Sequence, residues 1–343
     1  MAESGVGQRR SWWRRWWVWP VGGLLVVVSV IVGSGVALAI EGVGEPGEGV
    51  RSRGRDAVWL GHAWVDGRKG DGDIAGLVGV LRGTGIRDLF VHTGPLADDG
   101  GLDPGLAPKA RWFVEAAHRE LPGVRVQAWL GNLVAPEYDG LRLVDRGTRD
   151  RVTASAGAVL GIGFDGVHFD MEPVRSGEGG FLELLDQVRA VTQARGAVLS
   201  VSAPQIDPLP GLHAVGIAVA DHGKWWAQGY FAQVARRVDQ VAVMSYDTSM
   251  PWKALFGGYV TQQTTLALEV TPAEVDLLMG LPAFRADNIA HHGAAETVPA
   301  AVRGVRLGLG RHDPNRANFG VALYVDFAAT PEDWATYRRD WCQ

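Results

Sequence analysis

The sequence predicts an α/β chain, a (β/α)8 TIM barrel preceded by an N-terminal apolar helix. Three observations point there. From Asp56 onward, short apolar runs alternate with amphipathic stretches eight times over roughly 270 residues, the count and length of a closed parallel barrel. Many of those runs end in polar or aromatic residues, as strands do when a site is built at their carboxyl ends. Ahead of them, an uncharged stretch runs from Trp16 to Ile40. A doubly wound open sheet has the same alternation and is the second architecture the pattern allows.

Taken in order, residues 1–15 form a basic segment in which Arg9, Arg10, Arg14 and Arg15 alternate with tryptophans. Residues 16–40 are long enough for a membrane span of ~20 residues. Arginines before it and tryptophans at its start fit a span whose amino end stays in the cytoplasm. Ala37-Leu38-Ala39 also suits signal cleavage. A membrane anchor with an extracellular C-terminal domain is favoured over a cleaved signal and secretion. Residues 41–55, rich in Gly, Glu and Arg, read as a flexible linker. The barrel domain occupies 56–343. Its expected strands are 57–63, 88–92, 124–130, 166–171, 197–202, 240–246, 274–281 and 321–327. Helical periodicity appears over 74–84, 108–121, 148–160, 181–195, 225–238 and 298–309. Thr330-Pro331-Glu332-Asp333 opens a last helix, with Thr330 as cap and Asp333 reaching back.

Composition narrows the function. The chain has 343 residues, 47% hydrophobic and 21% charged, which suits an ordinary globular core. A net charge of -5 gives no basic face for nucleic acid. The one cysteine, Cys342, excludes a disulfide within the chain. Gly161-x-Gly163-x-x-Gly166 matches a dinucleotide fingerprint by letter but precedes a strand, the reverse of the required order. His291-His292 and Asp71-Gly72-Asp73 lack the other ligands of a metal site. No cofactor or metal is expected.

The chemistry concentrates in Gly163-Phe-Asp-Gly-Val-His-Phe-Asp-Met-Glu-Pro173. Side chains alternate along a strand, so His168, Asp170 and Glu172 share one face and Val167, Phe169 and Met171 the other. Pro173 cannot continue a central ladder, which leaves Glu172 at the strand's carboxyl tip. Two acids on one face of an apolar strand need a purpose or a partner. Desolvation and the Asp170 carboxylate would both raise the pKa of Glu172 and keep it protonated, as a general acid must be. Asp165, on the opposite face, reads as a turn residue, and His62 and His92 as structural.

Asp165-Gly-Val-His-Phe-Asp-Met-Glu172 resembles the fourth-strand Asp-Gly-x-Asp-x-Asp-x-Glu signature of family 18 glycoside hydrolases, the chitinase-like barrels. Met244-Ser245-Tyr246-Asp247 is similar to that family's sixth-strand Met-x-Tyr-Asp. Met279-Gly280-Leu281-Pro282 is similar to its seventh-strand Gly-Leu-Pro segment. The resemblance implies a retaining, substrate-assisted hydrolysis of N-acetylglucosamine-containing glycans, chitin-like or peptidoglycan-like. It implies Glu172 as the acid. Asp170 would hold the substrate acetamido N–H, Tyr246 would hold the acetamido group from the other side, and Asp247 would bind a sugar hydroxyl. Met244 and His168, in the same segments, are taken as further substrate-binding residues. Trp64 and Trp252, each following an expected strand end, are candidates to stack on sugars.

Three departures from the family pattern stand out. His168 replaces the middle aspartate, where it can hydrogen-bond Asp170. The eighth strand lacks the tryptophan that floors the family's sugar site, with Tyr324 as the available substitute. The loop after the seventh strand is too short for the domain that deepens many chitinase clefts. Two other functions therefore stay open. One is a carbohydrate-binding barrel without turnover. The other is a hydrolase of sugars lacking acetamido groups, with Asp247 or Asp326 as second carboxylate.

Overall fold

The computed structural model describes residues 18–220 and 223–343. Eight parallel strands close into a barrel: β1 (Asp56–Leu60), β2 (Ile86–Pro95), β3 (Arg125–Leu133), β4 (Gly166–Glu172), β5 (Val198–Ala203), β8 (Gln240–Val243), β9 (Asp276–Pro282) and β10 (Phe319–Tyr324). β10 pairs with β1 to complete the ring, which decides for the barrel over the open sheet. A separate two-stranded sheet, β6 (Gln205–Ile206) with β7 (Trp225–Trp226), sits after β5. It occupies the start of the expected 225–238 helix, which begins only at Gln228.

The helices are α1 (Val18–Glu41), α2 (Asp71–Leu81), α3 (Ala110–Glu120), α4 (Arg146–Ile162), α5 (Gly179–Gln193), α6 (Leu212–Ala220), α7 (Gln228–Ala235), α8 (Lys253–Val270), α9 (Val298–His312) and α10 (Pro331–Tyr337). The expected cap of α10 is present. Thr330 Oγ1 accepts from the Asp333 N–H, and the Asp333 carboxylate accepts from the Thr330 N–H.

Two hydrophobic layers follow from strand alternation. Outward residues such as Val167, Phe169 and Met171 pack against the helices in the main core. Inward residues form a smaller cluster of Ala57, Trp59, Phe90, Trp129, Ala242, Leu278 and Ala322, with Tyr324 against it. Small inward side chains make room for large ones. At Gly280, a Cβ would lie 2.8 Å from Cε1 of Tyr246. The barrel floor is polar. Asp88 accepts from Arg125, Arg87, Gln127 and Gln240. Burial pushes the Asp88 pKa up, but the arginines and Gln240 outweigh it and hold the group below the usual carboxylate range.

The segment expected to be a flexible linker lies along α9. Arg303 donates to Gly44 O, Arg306 to Gly47 O, and Val50 is buried. The end of α1 crosses α8 where Gly258 lets the backbones meet, since a Cβ there would overlap Leu38 O. The expected membrane segment, 16–40, falls partly outside the described residues. Among the described residues no helix is long and apolar enough to cross a membrane, so the expectation of a span finds no support in the structure.

Candidate active site

β4 carries the site. Its register against β3 pairs Trp129 with His168, Gly131 with Asp170 and Leu133 with Glu172. The strand thus delivers its acids, one above the other, to the carboxyl-terminal mouth. Trp129 Nε1 donates to Asp170 Oδ2 at 2.9 Å. Asp170 Oδ1 is buried and no group reaches it with good hydrogen-bond geometry, although Glu172 and Ser202 lie close. Glu172 is placed to share its proton with this carboxylate.

Burial raises the Asp170 pKa, opposed by Glu172, Ser202 and Trp129. Glu172 stands well above its ordinary value because of crowding by protein, then the Asp170 charge and a hydrogen bond to Asp170, with Asp247 adding to it. Its residue is exposed at the lip of the mouth, so solvent moderates the burial effect without removing the like-charge repulsion. Trp129 and Ser202 favour the ionised form of Asp170 whereas every neighbour of Glu172 opposes its charge, and this difference favours a proton on Glu172.

Tyr246 is buried and stacks on Tyr324, with centroids 5.3 Å apart and planes inclined by 23°. Tyr324 also meets Trp59, Trp129 and Phe284 edge-on, so it closes the centre of the barrel below the acids. Burial and the neighbouring acids raise both phenols, Tyr324 to about 12. Asp247 adopts φ +55°, a left-handed conformation uncommon outside glycine, and its carboxylate stays half exposed. A cavity of about 380 Å³ opens beside Asp247, lined also by Phe284, Asn288, Tyr324 and Phe327. That volume lies within the range of small-ligand sites.

His168 departs from its expected role. It is fully buried and stacks on Phe90 at 3.8 Å and 6°. Trp59 Nε1 can only donate, and it lies 3.0 Å from His168 Nε2. Nε2 is therefore the acceptor and Nδ1 carries the proton. Nδ1 donates to Ser200 Oγ, Ser200 to Gln127 Oε1, and Gln127 Nε2 to Asp88. Burial holds the ring neutral, with its pKa lowered to about 3. The expected direct bond to Asp170 is absent. Ser202 Oγ, 3.0 Å from Nε2, stands between the two. A buried ring with these partners cannot touch substrate, which corrects its assignment as a substrate-binding residue.

Trp64 is also corrected. It is buried, donates to Asp326 Oδ2 at 2.7 Å and lies under Lys69 Nζ, so its ring belongs to the packing between barrel and helices. Trp252 stands 68% exposed just before α8, free to meet a large ligand. Met244 is half-buried where β8 ends, its N–H on Ala203 O. Asp165 accepts from the Val126 N–H and faces His118, as a turn residue does. His62 and His92 contact each other near the mouth, and burial lowers His92 to about 4. Sequence reasoning missed the partners supplied from far along the chain: Trp59 on His168, Ser202 beside Asp170, and His291 on Asp247. No local motif marks any of them.

By sequence the chain matches no family model and no curated protein. Its structure is similar to the spore cortex-lytic enzyme SleL of Bacillus cereus, with TM-score 0.58 and 12% identity over 85% of this chain and 75% of that one. It is also similar to a Group IV chitinase of Ostrinia furnacalis, with TM-score 0.56 and 14% identity over 84% and 99%. A chitinase of Chromobacterium violaceum gives TM-score 0.57 and 14% identity over 83% and 98%. With eight parallel strands closed into a ring, the chain has the (β/α)8 barrel fold of these neighbours.

Proposed function

We propose that the chain is a glycoside hydrolase acting on N-acetylglucosamine-containing glycans, and that it works by a retaining, substrate-assisted mechanism. The observation that carries this is the stacked acid pair, with Glu172 exposed at the lip and Asp170 beneath it on the same face of β4, close enough to share a proton. Glu172 protonates the glycosidic oxygen. Its crowded site and the Asp170 charge keep it protonated where an ordinary glutamate would ionise. The substrate's acetamido oxygen attacks the anomeric carbon, so the enzyme supplies no nucleophile. Asp170 accepts the acetamido N–H and stabilises the positive charge that develops on the cyclised sugar. The Tyr246 hydroxyl holds the acetamido group from the other side, and Tyr324 supplies the floor against which the sugar rests. Asp247 takes a sugar hydroxyl.

Glu172 then accepts a proton from the water that opens the cyclised intermediate, which restores the acid. Similarity to solved chitinases and a cortex-lytic enzyme supports a polysaccharide substrate. The open mouth and the exposed Trp252 suit a polymer passing across it. Tethering of the barrel to a membrane through the N-terminal segment belongs to the same proposal, and membrane fractionation of the full chain tests it.

The experiment compares two aryl glycosides that differ only in the 2-acetamido group. The full chain should cleave the acetamido substrate, and a thiazoline mimic of the cyclised intermediate should inhibit it. Equal cleavage of both glycosides, without thiazoline inhibition, would assign the second carboxylate to Asp247 or Asp326 and end the substrate-assisted reading. Glycan binding without turnover would indicate a binding barrel.

A further inference from the structure

The loops after β8 and β9 are joined directly behind Asp247. His291 Nδ1 lies 2.8 Å from Asp247 Oδ1 and 3.5 Å from Glu296 Oε2. His291 and Glu296 are fully buried, whereas Asp247 faces the mouth. Glu296 accepts from the N–H and Oγ1 of Thr248, each at 3.1 Å. The Ser249 N–H donates to Ala290 O at 2.7 Å, and Lys224 Nζ to Thr248 O at 3.2 Å. Asn288 Oδ1 accepts from the N–H groups of Ala290 and His291, and Phe284 stacks against the His291 ring at 4.3 Å. Asp247 and Ser249 both sit at positive φ, a conformation that a surface loop does not hold without such support.

A cation held by Asp247, His291 and Glu296 is the competing reading of this cluster. The geometry disfavours it. Two ligands bound at ~2.0–2.1 Å in tetrahedral angles lie roughly 3.4 Å apart, whereas 2.8 Å is a hydrogen-bond length. The Lys224 ammonium already answers the charge of Glu296 and Asp247.

We propose that His291, held by Asn288 and the Phe284 ring, is a positioning residue: its Nδ1–H fixes the rotamer of Asp247, so the short β9–α9 loop presets a group that contacts the sugar. This rests on the reading of Asp247 as a sugar ligand. The loop therefore does more than leave the cleft shallow. It fills the space behind Asp247 with a buried carboxylate–imidazole pair, so the side chain meets the substrate already oriented and little ordering remains to be done on binding.

The test is a mutant cycle in the full chain on an N-acetylglucosamine oligomer. His291→Leu removes the donor and should lower kcat/KM about ten- to hundred-fold, the loss expected for one hydrogen bond to a charged group. His291→Asn places an amide N–H near the Nδ1 position and should recover most of the loss. In an Asp247→Asn background, His291→Leu should change little further, because the two losses share one contact. Thermal unfolding of each variant separates this from misfolding. A merely structural histidine would give losses that follow Tm, no rescue by asparagine and additivity with Asp247→Asn, and that result overturns the proposal. If the wild-type chain binds the oligomer without cleaving it, the same cycle is read on binding affinity. A wild-type chain that neither binds nor cleaves such oligomers overturns the proposal together with the function it rests on. Cleavage with His291→Leu within two-fold of wild type overturns the positioning role alone.

Discussion

Trp129→Phe isolates the support of Asp170. In the wild type, Trp129 Nε1 is the donor that meets Asp170 Oδ2, at 2.9 Å. Phenylalanine keeps an aromatic ring in the inner layer and removes that N–H. A hydrogen bond to a charged group contributes about 1.5–3 kcal/mol, and its loss here falls on the ionised form of Asp170. If that carboxylate stabilises the transition state, kcat/KM should fall roughly 10- to 150-fold. The acid limb of the pH–rate profile should also move to higher pH, because a carboxylate that has lost a donor ionises less readily. Stability should fall by about 2–4 kcal/mol, the small cavity left by the smaller ring adding to the lost hydrogen bond. The assay is a pH series of kcat/KM beside thermal unfolding. Activity within two-fold of wild type with an unmoved acid limb would show that Asp170 does not act through its charge.

Other outcomes follow from the same geometry. Gly280→Ala places a Cβ 2.8 Å from Tyr246 Cε1 and 2.9 Å from Val243 O, so it should displace the tyrosine ring. A stability loss of about 1–3 kcal/mol with a disproportionate loss of turnover is expected; a fully active, stable variant would mean that Tyr246 has room to spare. His168→Asp places an acid where the resembled signature has one but buries a carboxylate between Asp170 and the Asp88 network. Destabilisation of about 3 kcal/mol at neutral pH is expected from urea titration. Burial raises the folded-state pKa of such a group, so the lost stability should return as the pH is lowered below it. Glu172→Gln should leave the fold up to about 1 kcal/mol more stable at neutral pH, a gain limited by solvent at the lip. The wild-type pKa is raised, so wild-type stability is complete at low pH and declines as the pH rises through the folded-state value. The advantage of glutamine should therefore vanish on acidification, and an advantage that grew instead would contradict the raised pKa.

Much of the barrel was legible because strand alternation and strand-end chemistry are local properties. All eight expected strands have counterparts, and the inward face of β4 follows from its period of two. The places where reading failed have long-range causes. Trp225-Trp226 reads as the start of a helix, but the pair is drawn into a strand by Gln205-Ile206, some 20 residues away. α8 shows little helical periodicity because α1, α7 and α9 and β6 and β9 contact it on several sides, so that polar Thr261, Gln263 and Thr264 are buried along with its apolar residues. His168 was visible as a departure from a motif, but its tautomer depends on Trp59, 109 residues earlier. His291 and Asp247 are 44 residues apart, with no pattern to connect them. Trp64 misled because a tryptophan after a strand end looks the same whether it faces a ligand or a helix. Burial decides that, and burial is set by Phe113 and Lys69.

The central claim concerns the proton carried by Glu172. Turnover of an N-acetylglucosamine oligomer by the full chain and by its Glu172→Gln variant tests it most directly. Removing a general acid should lower kcat by about 10²–10⁴-fold, with the oligomer still bound. Equal rates from the two proteins would contradict the account.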